Sequence, residues 1–291
     1  MLLCLAYMEI IDGRKVRDGI LAKLKERVAA LPFQPLFCDV LVGDSDVAAQ
    51  YVRMKERTAE GLGLKVVHGV FPGDITTEAL IKELRRLGAL QNMAGLIVQL
   101  PLPPHIDTRA VLDAIPPEVD VDATGQISSD LFYANKPNYL FPTAAASVTL
   151  LDSQVPDLSG KKIVVVGKGM LVGRPVAHLL ASRGLDVTSV DRDTPNPEEI
   201  FKTADVIVTG VGKAKLINGG NIQKGVVIVD AGTSESNGSI VGDVDRETVE
   251  PLAAALSPVP GGVGPVTVSM LMQNVVVSAE RQLGGYGRFR E

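Results

Sequence analysis

The chain contains no tryptophan, and aromatic residues make up only 4% of its 291 positions. Its core must therefore be built from Val, Leu, Ile and Ala. With 29 glycines, that bias suggests buried parallel strands joined by tight turns. Two cysteines, Cys4 and Cys38, are too few for a disulfide framework or a Cys-rich zinc site. His68, His105 and His178 are too scattered for a metal cluster, so no metal is expected. Positive charge is not in excess. The net charge of -5 argues against nucleic acid or an anionic membrane as the main partner. No window approaches the ~18 consecutive apolar residues of a membrane span. The apolar opening stops at Glu9 without a basic leader or a small-residue cleavage pattern, so a signal peptide is not expected. Met8-Glu9-Ile10-Ile11-Asp12-Gly13 reads as the natural start of the domain, and the default expectation is a soluble cytoplasmic protein.

What is present is ordinary globular usage, 46% hydrophobic and 22% charged residues. The length is about twice the ~150-residue prior for one domain, which predicts two domains or one large α/β unit. Periodicity predicts helices over 14–30, 46–62, 76–87 and 266–283. Strands are expected at Leu36–Val42, Lys65–Val70 and Gly95–Leu100, the last stopped by Pro101, Pro103 and Pro104. Further strands follow at 161–167, Asp186–Val190, Asp205–Val211 and Val226–Asp230. Alternating strand and helix predicts βαβ units around parallel sheets. Between Pro116 and Pro142 the periodicity fades into an expected loop, and a domain boundary is expected near residues 145–160.

Gly167-Lys168-Gly169-Met170-Leu171-Val172-Gly173 follows four apolar strand residues and opens a helix. This G-x-G-x-x-x-G is a variant of the dinucleotide fingerprint: glycines permit the tight turn, and the helix N-terminus offers N–H groups to a phosphate. Asp191 could accept hydrogen bonds from an adenosine ribose, favouring NAD, whereas Lys168 and Arg192 could neutralise a 2′-phosphate, favouring NADP. The bland alternative is a tight βα turn without ligand.

Tyr51 and Lys55 stand four apart on one predicted helix face. Gln99 ends a strand and Asp122 lies in the following Asp120-Val121-Asp122 loop. Singly they read as core, helix surface and loop cap; together they offer an aromatic plate, an amine, an amide and a carboxylate. Ser257-Pro258-Val259-Pro260-Gly261-Gly262-Val263-Gly264-Pro265 is a rigid close-approach loop, or simply a linker.

These segments resemble the bifunctional methylenetetrahydrofolate dehydrogenase/cyclohydrolase family. The anchors are Tyr51-Val52-Arg53-Met54-Lys55, Val98-Gln99-Leu100-Pro101-Leu102-Pro103, Asp120-Val121-Asp122, Gly242-Asp243-Val244-Asp245 and Pro258–Pro265, spread from about Ile10 to Ala279. The resemblance implies a three-layer α/β folate-binding domain over 1–146, completed by a C-terminal helix at 266–291, and a Rossmann domain over 147–265. It further implies a homodimer with a cleft between the domains, using NADP, with NAD as the alternative. Tyr51 would stack on the folate and Asp122 would hold the pterin, with Leu100, Pro260, Gly261 and Gly262 lining the pocket. Lys55 would be the central catalytic group, tuned by Gln99. A neutral amide suits that job, because a carboxylate beside Lys55 would raise its pKa. Gly167, Lys168, Gly169, Gly173, Asp191, Arg192, Gly212 and Thr233 would bind the cofactor. The implied chemistry is oxidation of 5,10-methylenetetrahydrofolate followed by hydrolysis to 10-formyltetrahydrofolate.

Several positions depart from the family pattern. Gly169 stands where Ser is usual in the cofactor turn, and Ala123-Thr124 replaces a Gly-Phe or Gly-Leu. Phe141-Pro142-Thr143-Ala144 replaces Pro-Cys-Thr-Pro, Ala146 a Gly and Ala48 a Ser. Asp230-Ala231-Gly232-Thr233-Ser234 replaces Asp-Val-Gly-Ile-Asn. These changes leave open a monofunctional cyclohydrolase or a non-catalytic folate-binding protein with an impaired dinucleotide site.

Overall fold

The computed structural model describes residues 8–236 and 239–284; residues 1–7, on which the start-site expectation falls, and 285–291, the end of the expected last helix, lie outside them. The first elements are β1 (Glu9–Ile10), α1 (Gly13–Ala29), β2 (Leu36–Val42), α2 (Asp46–Leu62), β3 (Lys65–Val66) and β4 (Gly69–Phe71). Next come α3 (Thr77–Gly88), β5 (Met93–Val98), α4 (Thr108–Asp113), α5 (Gln126–Tyr133) and α6 (Pro142–Gln154). The second half contains β6 (Ile163–Val166), α7 (Gly173–Ala181), β7 (Val187–Val190), α8 (Pro197–Phe201), β8 (Val206–Thr209) and β9 (Val227–Asp230). It closes with β10 (Ser234–Ser236), β11 (Ser239–Val241), α9 (Arg246–Val249), β12 (Ala255–Leu256) and α10 (Val263–Leu283). Among the described residues no helix is long and apolar enough to cross a membrane.

Two compact units form. One contains Gly19–Phe141 and the residues from Val268 onward; the other contains the residues up to Asp18 together with Pro142–Thr267.

In the first unit β2 is central and every pairing is parallel. It pairs β5 along one edge, and β3 and β4 in succession along the other. The strand expected over Lys65–Val70 is thus two short strands, and its residues 67–68 belong to neither. Alternation along β2 sends Phe37 into a core with Leu24 and Val28 of α1, Ala59 and Leu62 of α2, and Leu271, Met272, Val275, Val276 and Ala279 of α10. Cys38, Val40 and Val42 face the opposite core, with Leu80, Leu84 and Leu87 of α3 and Val111 and Leu112 of α4. Helices cover both faces, giving three layers with the last helix packed against the first.

The second unit is a six-stranded parallel sheet in the order β1-β12-β9-β8-β6-β7, the doubly wound arrangement expected for a dinucleotide domain. Its edge strand β1 comes from the start of the chain and pairs with β12; both strands are only two residues long and neither carries a period-2 signal. The stretch Pro116–Pro142, expected as loop, contains α5. That helix spans two turns, with only Ser128 and Phe132 buried, too short to declare a 3.6-residue stripe.

Candidate active site

In the first unit the site is assembled at the carboxyl ends of β2 and β5. Ser45 caps α2 by accepting a hydrogen bond from the Ala48 N–H at 3.3 Å, and Gly63 ends the helix in the left-handed region at φ 95°. Between these stops α2 carries Tyr51, half-buried, and one turn later Lys55. Gln99 directly follows β5, and its backbone N–H donates to the Val40 carbonyl at 2.8 Å. The Lys55 Nζ donates to Gln99 Oε1 at 2.8 Å, and Gln99 Nε2 donates to the Leu100 carbonyl at 3.3 Å. Lys55, Gln99 and Leu100 are therefore brought together by these contacts.

Lys55 also has a carboxylate neighbour that the sequence-derived site does not include. Asp39, in the middle of β2 and wholly buried, places its Oδ2 2.6 Å from Lys55 Nζ, whose side chain is only 14% exposed. Burial pushes the Asp39 carboxyl up, and the nearby Lys55 charge pulls it back down. The sequence holds a signal for this pair. Asp39 is the one charge in the apolar run Leu36–Val42, and a buried carboxylate needs a cation.

Asp122 lies close enough to feel the same groups. Burial raises its carboxyl to about 7, Lys55 acts to lower it, and Asp120 and Asp39 act to raise it. The loop carrying it is pinned from several sides. Asp120 accepts from the N–H groups of Gly125 at 2.8 Å and Thr124 at 3.3 Å, and Asn274 Nδ2 donates to the carbonyls of Val121 and Leu140, both at 2.8 Å. Ala123 takes a left-handed conformation there, φ 57°.

In the second unit the glycine-rich turn follows β6. Gly167 has φ 102° and its N–H donates to Val190 at 2.7 Å. A Cβ on Gly173 would overlap the Gly167 carbonyl, and one on Gly210 would strike Val172. Only glycine lets the first turn of α7 approach β6 this closely. Among the described residues no side chain caps α7, but the Arg174 N–H donates to the Gly169 carbonyl at 3.1 Å and Pro175 carries none, so of the first three helical residues Gly173 alone can offer an N–H to a phosphate. Gly212, at φ 75°, adjoins Thr233 across the ends of β8 and β9. This cradle fits a dinucleotide, and Gly169 is exposed with open space where a Cβ would be. Lys168 Nζ sits 2.8 Å from Asp191 Oδ2, whereas Arg192 is 93% exposed and its Nε lies 3.9 Å from Asp193 Oδ1.

Asp243, absent from the sequence-derived site, organises this end of the sheet. Its carboxylate accepts from Thr209 Oγ1 at 2.6 Å and from the N–H groups of Val211 at 2.7 Å and Lys213 at 2.8 Å, fixing the loop that carries Gly212. Asp230 beside it accepts from Gly232, Asp243 and Val244. These contacts give the Gly242–Asp245 segment a structural purpose. The Pro260–Gly262 loop precedes α10 in the same unit; Gly261 has φ 112°, and its carbonyl accepts from Gly13 at 3.1 Å.

Residues 142–283 match the family described as tetrahydrofolate dehydrogenase/cyclohydrolase, NAD(P)-binding domain, and residues 11–122 match its catalytic domain. A protein from Methanospirillum hungatei named bifunctional protein FolD is 39% identical over 277 residues, covering 95% of this chain and 99% of its own length. The chain belongs to the tetrahydrofolate dehydrogenase/cyclohydrolase family. Among solved structures, the bifunctional FolD of Campylobacter jejuni superposes with a TM-score of 0.91 at 32% identity, covering 94% of this chain and 99% of that one. The FolD of Trypanosoma brucei, solved with NADP and an inhibitor, also gives 0.91, at 34% identity with 96% and 99% coverage. The family's two named domains thus fall on the two sheets described above, with an NAD(P)-binding domain built on the six-stranded one.

Proposed function

We propose that the chain oxidises 5,10-methylenetetrahydrofolate to 5,10-methenyltetrahydrofolate with NAD(P)+ and hydrolyses that product to 10-formyltetrahydrofolate, a step of one-carbon metabolism. The observation that carries this reading is Lys55 Nζ held between Gln99 and Asp39 on a side chain only 14% exposed, in a chain related to bifunctional enzymes over nearly its whole length.

In this reading Tyr51 provides the flat face on which the folate stacks, and Asp122 hydrogen-bonds the pterin. Leu100 and the Pro260–Gly262 loop line the substrate. The bound dinucleotide supplies the hydride acceptor. Gly167, Lys168, Gly169, Gly173, Asp191, Arg192, Gly212 and Thr233 hold it, so the oxidation depends on positioning two flat rings. The hydrolysis needs a base for the attacking water, and Lys55 takes that role in this reading. We extend the proposal to a cytoplasmic homodimer in which the unit of Gly19–Phe141 and the last helix binds folate and the six-stranded unit, with the expected 147–265 and the edge strand β1, binds the dinucleotide. NADP is the favoured cofactor, supported by the Trypanosoma brucei relative solved with it. The Lys168–Asp191 pair supports NAD as the second reading, because it leaves Lys168 already neutralised.

The decisive variant is Lys55→Met, which keeps the stem and removes the amine. Hydrolysis of methenyltetrahydrofolate is expected to vanish while the thermal melt stays cooperative. Retained hydrolysis would remove Lys55 from the mechanism.

A further inference from the structure

We propose that Asp39 is the proton-holding partner of Lys55: it receives the ammonium proton that Lys55 must shed before its amine can act on water. The inference rests on the role given to Lys55 above.

Asp39 is an unusual ion-pair partner. A buried carboxylate kept purely for structure is normally surrounded by donors. Asp243 accepts three hydrogen bonds and Asp120 accepts two from backbone N–H groups. Asp39 is as buried as either, yet among the described residues neither of its carboxylate oxygens accepts a hydrogen bond of full geometry, and its charged contact is the 2.6 Å ion pair of Oδ2 with Lys55 Nζ. The groups facing it reinforce this poverty. Lys55 and Glu56 act on it from α2, and Asp122 is coupled to it from the loop after β5. The neighbouring Cys38 thiol, raised by burial to about 12, stays neutral. Lys55 alone among these favours the Asp39 anion, so the carboxyl readily takes a proton once Lys55 offers one.

The substrate of the hydrolytic step supplies the occasion. A methenyl cation beside Lys55 disfavours the ammonium. The proton then crosses the 2.6 Å gap: the Nζ–H bond breaks, the Oδ2–H bond forms, and nitrogen keeps the electron pair. The pair remains neutral overall, so no charge is created in the pocket. The amine next takes a proton from water as the water oxygen bonds to the methenyl carbon and the C=N electrons withdraw to nitrogen. Lys55 is an ammonium again, Asp39 releases its proton to solvent, and Gln99 holds Nζ throughout. Collapse of the carbinol breaks the bond from that carbon to N5, the hydroxyl proton passes to N5, and the formyl group remains on N10. One proton leaves per hydrolysis, as the reaction requires.

Asp39→Asn keeps the shape and a hydrogen-bond acceptor for Lys55 but cannot hold the proton. Its kcat for methenyltetrahydrofolate hydrolysis is expected to fall about ten-fold or more at neutral pH, with KM changed less than about two-fold. Activity should then climb with pH, because Lys55 must lose its proton to solvent. A kcat and pH profile matching the parent would make Asp39 merely structural. Faster hydrolysis at neutral pH would make it merely a brake that keeps Lys55 charged. Should the variant not fold, Asp39→Thr, a strand-forming residue that likewise cannot hold the proton, takes its place: the same loss of kcat and the same rise of activity with pH are expected, and a parent-like profile overturns the relay. If Lys55→Met still hydrolyses substrate, the role of Lys55 fails. If it is inactive while Asp39→Asn behaves like the parent, this inference alone fails.

Discussion

Lys168 and Asp191, which the sequence sets against each other as markers of opposite cofactors, form one ion pair with Nζ 2.8 Å from Oδ2. The Lys168 hydrogen bond, aided by Thr194, holds the Asp191 carboxyl below the usual carboxylate range. Neither residue is therefore free to choose the cofactor alone. Asp191→Ala releases Lys168 to meet a 2′-phosphate and removes a repelling charge. The ratio of kcat/KM for NADP over NAD is expected to rise about ten-fold, measured by nicotinamide reduction at saturating folate. An unchanged ratio would take the pair out of cofactor choice.

Ala123 is the one residue after the acidic pair that departs from the family's glycine, and it sits at φ 57° with no exposure. A side chain in that region costs roughly 1–2 kcal/mol, partly offset here by burial of the methyl group. Ala123→Gly should therefore stabilise the protein by about 0.5–1 kcal/mol. Urea denaturation reads this directly, and a destabilised variant would show that the methyl contact outweighs the strain.

Asp122 makes stability depend on pH. Its carboxyl holds a proton up to about pH 7 in the folded chain but ionises near ~4 when unfolded. The folded state binds the extra proton between those limits, so folding free energy is lost as pH rises through that window. Asp122→Asn does not titrate. Its stability relative to the parent should improve by on the order of 2 kcal/mol between about pH 4.5 and about pH 8, followed by chemical denaturation. A difference independent of pH would refute the shift. The same variant should weaken folate binding if Asp122 holds the pterin.

The sequence was most informative where one signal dominated. The bounds of β2 and α2 are legible because an apolar run interrupted only by Asp39 and a helix between a capping Ser45 and Gly63 leave no competing reading. The β3–β4 edge was blurred because its residues pair β2 in two short stretches separated by residues 67–68. The strand β1 was invisible because two residues with no alternation carry no local signal; its place is set by pairing with β12, 246 positions away. At the site, Tyr51, Lys55, Gln99 and Asp122 were legible through motif spacing. Asp39 was not, although a lone acid in a buried strand could have prompted a search for its cation. Asp230 and Asp243 were missed for a related reason: their partners are backbone N–H groups, which no residue type advertises.

The helix α10 also bears on the order in which the protein can be made. Its Leu271, Met272, Val275, Val276 and Ala279 fill the same core as Leu24 and Val28, Glu280 pairs with Arg27 at 2.6 Å, and Asn274 fastens the loop of Asp122. As the chain leaves the ribosome, the parallel strands of residues 36–98 emerge early, but one apolar face, packed by α1 and α2, is not fully covered until residues 271–279 are synthesised. The six-stranded unit, whose last residue is Thr267, is complete before then. Synthesis thus favours an inverted schedule in which the later-encoded dinucleotide unit matures first and the folate-binding unit closes only when the final helix arrives.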